Sequence, residues 1–229
     1  MKILTTILTC TSTQHRANAC LATWIKDIKT PHDYIFFGDK KQSHKMDKTW
    51  NCEPDEGEKR DSLPEKTYKM LVKSLDYEWD FLFKCDDDTY VAFDKLINLL
   101  KNYNPDDELY IGGKIVNPFP YAQGGAGYAL TRSAVKKCIE SLKHFYKDAV
   151  PGYPLRAKTR NAEDYSVGLA LKEQGINLTH ADLLSTPNLK TAKQNQSVCI
   201  DAIIKKHKIT THYVMPETME KLHKMRNTI

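Results

Sequence analysis

The stretch Trp79-Asp80-Phe81-Leu82-Phe83-Lys84-Cys85-Asp86-Asp87-Asp88-Thr89-Tyr90-Val91 decides how this chain is read. Phe81-Leu82-Phe83 is a compact apolar run of the kind that forms a buried strand, and a carboxylate triplet follows just beyond its carboxyl end. In an open α/β sheet that edge is where ligands bind. Like charges this close repel unless a cation or hydrogen bonds compensate them, and a divalent ion is the natural compensator. Mg²⁺ and Mn²⁺ take oxygen ligands and leave part of their shell to water and diphosphate oxygens. Alternate residues of an extended segment face one way, so Asp86 and Asp88 are expected to share a side.

Outward from the triplet, short apolar runs alternate with helical patterns. Ile3 to Thr9 reads as a first strand, and a helix with Ala17, Leu21, Trp24, Ile25 and Ile28 on one face follows. Tyr34-Ile35-Phe36-Phe37, closed by Gly38, is the next strand, and a polar stretch runs from Asp39 to Asp61. Ser62-Leu63-Pro64-Glu65 supplies a capping box and a proline tolerated in the first turn; the helix it opens should bury Tyr68, Leu71, Val72 and Leu75. Beyond the triplet come a helix around Leu96 to Leu100, a short strand at Leu109 to Ile111, a turn at Gly124-Gly125-Ala126-Gly127 and a helix near Ala134 to Phe145. A further helix starts with Asn161 as N-cap and stops at Gly175, which puts Glu163 and Asp164 in its first turn. The tail offers a helix at Val198 to Lys206, an extended piece at His212-Tyr213-Val214 and an amphipathic helix after Pro216. This alternation argues for an α/β fold with a mostly parallel central sheet flanked by helices. With no internal repeat or linker, residues 1–229 read as a single domain.

Composition narrows the class. A chain of 229 residues with 41% hydrophobic and 28% charged residues can bury one sizeable core and lies far from disordered or collagen-like extremes. The formal net charge of +5 is spread along the chain without a dense single-sign block, so no nucleic-acid partner is expected. Lys205, Lys206, His207 and Lys208 read as a solvated helix face. Six scattered cysteines without a CxxC pair indicate neither a zinc site nor a disulfide framework. The opening residues lack a small-residue cleavage site, and no run approaches the ~18 to 20 apolar residues of a membrane span. No transmembrane segment is therefore expected. The sequons at Asn177-Leu178-Thr179 and Asn195-Gln196-Ser197 matter only in a secretory compartment.

On residues alone, the triplet is open to rival readings. One is a solvated acidic turn. Another is a haloacid-dehalogenase-like phosphatase, whose apolar strand is followed by Asp-x-Asp-x-Thr; here Thr89 falls one place early and Tyr90 occupies its slot. The run Phe81 to Val91 as a whole resembles the metal motif of glycosyltransferase family 31, which includes β-1,3-galactosyltransferases, N-acetylglucosaminyltransferases and the Fringe proteins. Further matches fall in the family's order: Arg16 with Thr23-Trp24, Lys66-Thr67, Gly112-Gly113, Gly124-Gly125-Ala126-Gly127-Tyr128, and Glu163-Asp164-Tyr165-Ser166-Val167-Gly168. The double glycine before Ala-Gly-Tyr is most similar to the Fringe and core 1 galactosyltransferase branch, and the likeness extends over nearly the whole chain.

That resemblance implies a GT-A glycosyltransferase fold, a UDP-sugar donor, Mn²⁺ or Mg²⁺ as cofactor, a glycan or glycoprotein acceptor, and inversion to a β linkage. Carried over residue by residue, Asp88 is the direct metal ligand, and His212 resembles the late histidine that completes the site. Arg16, Asp39, Lys66, Asp86 and Asp87 are the expected donor contacts. Asp164 matches the general base; Glu163 beside it is served equally well by complementing the helix dipole. Galactose, N-acetylglucosamine, glucose and xylose all stay open as the transferred sugar, and a non-catalytic glycan-binding module on the same fold is the alternative without chemistry. Departures from the family are Leu21-Ala22, where a second arginine often precedes Thr-Trp, and the lack of the membrane anchor and stem of Golgi members. The latter points to a cytoplasmic bacterial or viral enzyme, or to a Golgi-type catalytic domain without its anchor.

Overall fold

A computed structural model describes residues 1–39, 47–53, 63–116, 119–147 and 162–228. Strands β1 (Ile3–Leu8), β2 (Asp33–Gly38), β3 (Thr49–Asn51) and β4 (Phe81–Asp86) are interleaved with helices α1 (Gln14–Ala22) and α2 (Leu63–Ser74). Next come β5 (Tyr90–Val91), α3 (Phe93–Leu100), β6 (Tyr110–Gly112), β7 (Lys114–Val116), β8 (Pro120–Ala122) and β9 (Tyr128–Thr131). The chain continues through α4 (Arg132–Lys147), α5 (Glu163–Glu173), β10 (Leu178–His180), α6 (Leu189–Gln194), α7 (Ser197–Ile204), β11 (Thr210–Thr211) and α8 (Pro216–Arg226).

The main sheet runs β10-β6-β9-β4-β1-β2-β3. All its pairs are parallel except those of β9, which is inserted antiparallel between β4 and β6. The expected mostly parallel sheet is therefore present. Its strands read as apolar runs because both faces are covered. Ile3, Ile7, Phe81, Phe83 and Cys85 point into one layer, closed by α1, α3, α7 and α8 through Cys20, Leu96, Ile203 and Leu222. Leu4, Phe37 and Leu82 point into the other, closed by α2, α4 and α5 through Leu71, Val135 and Val167. All six cysteines are free thiols. Among the described residues no helix is long and apolar enough to cross a membrane.

The structure differs from the sequence expectation in particular places. The first helix does not run on to Ile28: it ends at Ala22, and Trp24–Asp27 forms a separate 3-10 turn. At the break, Thr23 Oγ1 donates to the Ala19 carbonyl at 2.6 Å, a side-chain bond that competes with the helical ladder. Val72, expected in the core, is 40% exposed; Met70 and Leu71 carry the buried face of α2. The last strand is Thr210–Thr211, and Tyr213 turns the chain with φ +63° instead of extending it. Ser62 and Asn161, read as caps, lie outside the described residues; α5 begins at Glu163 after Ala162.

Gly127 and Gly175 both adopt positive φ, with different surroundings. At Gly175 the chain leaves α5 in a Schellman turn, Ile176 N–H donating to the Leu171 carbonyl at 2.9 Å and Gly175 N–H to Lys172 at 3.0 Å. A Cβ there would meet nothing within 4 Å, whereas at Gly127 (φ +86°) it would lie 2.4 Å from Phe83 Cζ. Gly175→Ala should therefore cost about 1 kcal/mol of backbone strain. Gly127→Ala adds a core clash and should cost about 3 kcal/mol in urea unfolding. Equal losses at the two positions would contradict the close approach of Gly127 to the Phe83 ring.

Candidate active site

Parallel strands end on one edge, and here that edge gathers the polar residues. Thr9 follows β1, Asp39 follows β2 and the acidic triplet closes β4, with Leu8 registered against Asp86. The alternation of the strand then sorts the carboxylates. Asp86 and Asp88 meet His212, their ligand atoms all lying within 4.8 Å of one another. His212 Nε2 is 2.9 Å from Asp88 Oδ1 and 3.7 Å from Asp86 Oδ2. Asp86, read from sequence as a donor contact, is thus placed with the expected metal ligands. Arg16 Nη1 approaches the same group, 3.0 Å from Asp88 Oδ2 and 3.9 Å from Asp87 Oδ1.

Asp87 points the other way. It is buried, and its Oδ2 accepts hydrogen bonds from the Thr9 and Thr13 hydroxyls, which tie the triplet to the approach to α1. Burial pushes its carboxyl up to about 7, although both threonine donors favour the charged form.

Lys84, two residues before Asp86, is 1% exposed. Its Nζ donates to Asp86 Oδ1 at 2.8 Å and, from the other side, to Glu163 Oε1 at the start of α5. The Tyr128 hydroxyl donates to Glu163 Oε2 at 3.1 Å. Burial opposes the lysine's charge, yet the two carboxylates outweigh it and raise Lys84 above the ordinary lysine range. Burial likewise opposes the charge of Asp86, but Lys84 and His212 hold it below the usual carboxylate range. Glu163 is pushed up to about 7 by burial, against the pull of Lys84.

Neighbouring acids on α5 therefore have different surroundings. Glu163 is turned inward to Lys84, while Asp164 is half-buried. Asp164 Oδ2 accepts the Gly124 N–H at 3.0 Å and Oδ1 accepts the Tyr165 N–H at 2.8 Å, so its carboxylate is fixed in orientation.

The glycine-rich turn links these pieces. A Cβ at Gly124 would lie 2.2 Å from Glu163 Oε1, and one at Gly125 would lie 2.0 Å from His212 Cε1. Thr89 Oγ1 donates to the Gly125 carbonyl and Thr210 Oγ1 to that of Ala126, each at 2.6 Å. His212 is held on its far side by Tyr213, stacked at 3.8 Å between ring centroids. Gln196 steadies the left-handed Tyr213: its Nε2 donates to the Tyr213 carbonyl at 2.9 Å, and its Oε1 accepts the Met215 N–H at 2.8 Å. Val214 N–H donates to the Asp88 carbonyl at 2.9 Å, joining this segment to the triplet.

Of the remaining expected donor contacts, Asp39 is buried at the end of β2 and accepts from Thr11 Oγ1 at 3.4 Å. Lys66, in the first turns of α2, is 8% exposed and has no hydrogen bond or ion pair with any described residue. Sequence reasoning gave no role to Lys84, although a lysine inside an apolar strand is itself a signal that a carboxylate must meet it. It also missed Gln196, whose role depends on contacts with a distant loop.

A family model described as Fringe-like matches residues 1–227. Over 126 residues, 52% of this chain and 32% of the relative, the chain is 34% identical to the glycoprotein-N-acetylgalactosamine 3-beta-galactosyltransferase 1 of Xenopus laevis. It is 25% identical over 126 residues to the beta-1,3-glucosyltransferase of Mus musculus, 24% of that protein. The chain spans about a third and about a quarter of the lengths of these relatives. Among solved structures it is similar to a glycosyltransferase involved in the glycosylation of the major capsid of PBCV-1, with TM-score 0.54, 13% identity and coverage of 97% of this chain and 98% of that one. The apo-form glycosyltransferase GlyE of Streptococcus pneumoniae TIGR4 gives TM-score 0.56 at 8% identity, covering 97% and 59% of the two chains. These likenesses identify the fold as GT-A.

Removing one partner of a buried charge network leaves the others uncompensated. Lys84→Met should lower the unfolding free energy by about 3 kcal/mol, and adding Glu163→Gln should recover part of the loss. Thermal and urea unfolding of the single and double variants measure this. A double variant as unstable as the sum of the singles would show that the two groups are not coupled.

Proposed function

We propose, from the premise that this chain belongs to the Fringe-like family, that it is an inverting glycosyltransferase which moves a sugar from a UDP-sugar to a hydroxyl of a glycan or glycoprotein. The observation that carries this reading is the meeting of Asp86, Asp88 and His212 on the carboxyl edge of the sheet, with Asp164 across the glycine turn. Residues 1–229 serve as a single catalytic domain. Family membership leaves the phosphatase reading without support.

The donor set fits a divalent cation. Two carboxylates and an imidazole within 4.8 Å suit Mn²⁺, and Mg²⁺ less closely because of the nitrogen ligand. Asp86, Asp88 and His212 would hold the ion. When bound, it supplies positive charge that stabilises the departing diphosphate. Arg16 and Lys66 add cationic groups for the same anion, Lys66 being the more available because no described residue pairs with it. Asp39 contributes a carboxylate acceptor for donor hydroxyls, and Asp87 holds the triplet against α1.

Asp164 takes the proton. In a single displacement the acceptor oxygen bonds to the anomeric carbon, the bond from that carbon to the diphosphate breaks, and the hydroxyl proton passes to the Asp164 carboxylate. Each of its oxygens accepts one backbone N–H and keeps a further lone pair for this purpose. One base and no covalent intermediate give inversion, so an α-linked donor yields a β-linked product. The names of the relatives favour galactose or glucose over N-acetylglucosamine or xylose as the transferred sugar.

A panel of UDP-sugars, each with and without Mn²⁺ or Mg²⁺ and scored for UDP release and thermal stabilisation, tests the reading. Binding without turnover across the panel would favour the glycan-binding module instead. Asp88→Ala should abolish the metal-dependent stabilisation by UDP, and His212→Ala should raise the Mn²⁺ concentration needed by ~10-fold or more. An unchanged metal titration in His212→Ala would remove that residue from the ligand set.

Asp164→Asn keeps shape and hydrogen bonding but cannot accept the proton. Donor affinity should persist while transfer falls by ~10²-fold or more, and Glu163→Gln should change transfer much less. NMR of the product gives the anomer; an α linkage would overturn the single-displacement mechanism.

A further inference from the structure

Apart from the two layers that cover the sheet, Phe119, Tyr165 and Leu169 form a small cluster of their own, with Tyr121 packed against it. The Phe119 and Tyr165 rings lie 5.1 Å apart, and Tyr121 meets Tyr165 edge-on at 5.5 Å and 80°. Phe119 and Tyr165 are buried, at 6% and 8% exposure. Tyr121 is the half-buried member, and its hydroxyl has no hydrogen-bond partner among the described residues.

Helix geometry fixes where this ring sits relative to Asp164. A Cβ at Gly168 would lie 2.5 Å from Tyr121 Cβ, so Tyr121 rests directly on Gly168. Residues four apart share a helix face at a spacing of about 6 Å, and Gly168 follows Asp164 by that interval. From Tyr121 the chain passes through Ala122 and Gln123 to Gly124, whose N–H holds the Asp164 carboxylate at 3.0 Å. The Tyr121 hydroxyl is raised above its ordinary range by burial first and by the Asp164 charge second, in keeping with this proximity.

We propose that Tyr121 is the floor of an acceptor subsite, on which a pyranose ring of the acceptor glycan lays its C–H face so that one of its hydroxyls points at Asp164. The proposal rests on Asp164 being the base of the reading above. A pyranose has a polar rim and apolar C–H faces, which match a tyrosine's apolar body and polar tip. Phe119 and Tyr165 hold the ring from behind, and Gly168 leaves it room to lie close to the helix. The hydroxyl, unpaired among the described residues, can bond a rim hydroxyl of the sugar. Along the Tyr121-to-Gly125 segment Tyr121 meets Gly168, Gly124 holds Asp164 and Gly125 abuts His212, so in chain order the contact to the base falls between the aromatic ring and the metal cluster, the order a displacement between acceptor and donor requires.

The test uses methyl glycosides of galactose, glucose, N-acetylgalactosamine and N-acetylglucosamine as probes. Saturation-transfer NMR with UDP and Mg²⁺ present should detect binding of at least one of them by the wild-type chain and by Tyr121→Phe. Tyr121→Leu, which keeps apolar bulk without an aromatic face, should weaken that binding ~10-fold or more. In turnover, the acceptor KM of Tyr121→Leu should rise by the same factor, with donor KM and acceptor-independent UDP-sugar hydrolysis unchanged. Asp164→Asn should retain glycoside binding while losing transfer, separating the floor from the base. Wild-type affinity in Tyr121→Leu, an equal rise in donor KM, or no glycoside bound by the wild-type chain would each overturn the subsite. Absence of UDP release with every donor would instead count against the transferase reading, and the NMR comparison would still decide the role of Tyr121.

Discussion

A lysine ammonium enclosed between two carboxylates is the constraint on which the rest of this site depends. Lys84 follows the apolar run Phe81-Leu82-Phe83 on its strand and is buried, and a charge in that position is tolerated only when it is matched from more than one direction. Asp86 matches it along the strand, and Glu163 matches it from the helix packed across the sheet. Together they fix β4 against the first turn of α5. Asp86 is thereby drawn toward the face shared with Asp88 and His212, and Glu163 is turned inward. Asp164, the next residue, is left half-buried and held by the Gly124 N–H. Adjacent acids with nearly the same chemistry thus acquire unlike roles through the direction in which a buried lysine pulls one of them.

The same logic explains why the triplet is not the nucleophile motif of a phosphatase. The threonine and tyrosine that follow it are already engaged. Thr89 donates to the glycine turn, and Tyr90 sits in β5 with its hydroxyl 3.1 Å from His223 Nδ1. Structures similar to this chain at 8% to 13% identity share its fold. At that distance the fold is what is shared, and the chemistry has to be argued from the side chains this chain places on the edge.

Much of that edge was legible in the sequence because it follows from local periodicity. Strand alternation put Asp86 and Asp88 on one side, and the apolar run from Phe81 identified the strand that carries them. Glu163 and Asp164 were legible as residues of a helix's first turn. What escaped was decided by distant contacts. Tyr128–Thr131 is too short for its period to announce a strand, and only the gap between β4 and β6 makes it one. Thr23 ends its helix through a hydroxyl that finds the Ala19 carbonyl, a choice that helical spacing does not reveal. The burial of Lys84 could have been inferred from its neighbours, but its second partner lies far along the chain and has no local signature. Similarly, the turn that presents His212 requires a left-handed tyrosine, which nothing in His212-Tyr213-Val214 encodes without Gln196.

That last feature bears on how the site comes into being. The segment carrying His212 is attached to the sheet through the glycine turn and through Val214 N–H on the Asp88 carbonyl, and it is shaped by Gln196, the residue just before α7, whose side chain bonds Tyr213 and Met215. During synthesis the acidic triplet leaves the ribosome well before the histidine, the glutamine or Glu163. A nascent chain with β1, β2 and β4 already paired would therefore carry Lys84 with Asp86 but without Glu163, and a cluster of carboxylates lacking its imidazole. The grouping of Asp86, Asp88 and His212 is therefore complete only once segments that lie far downstream have docked.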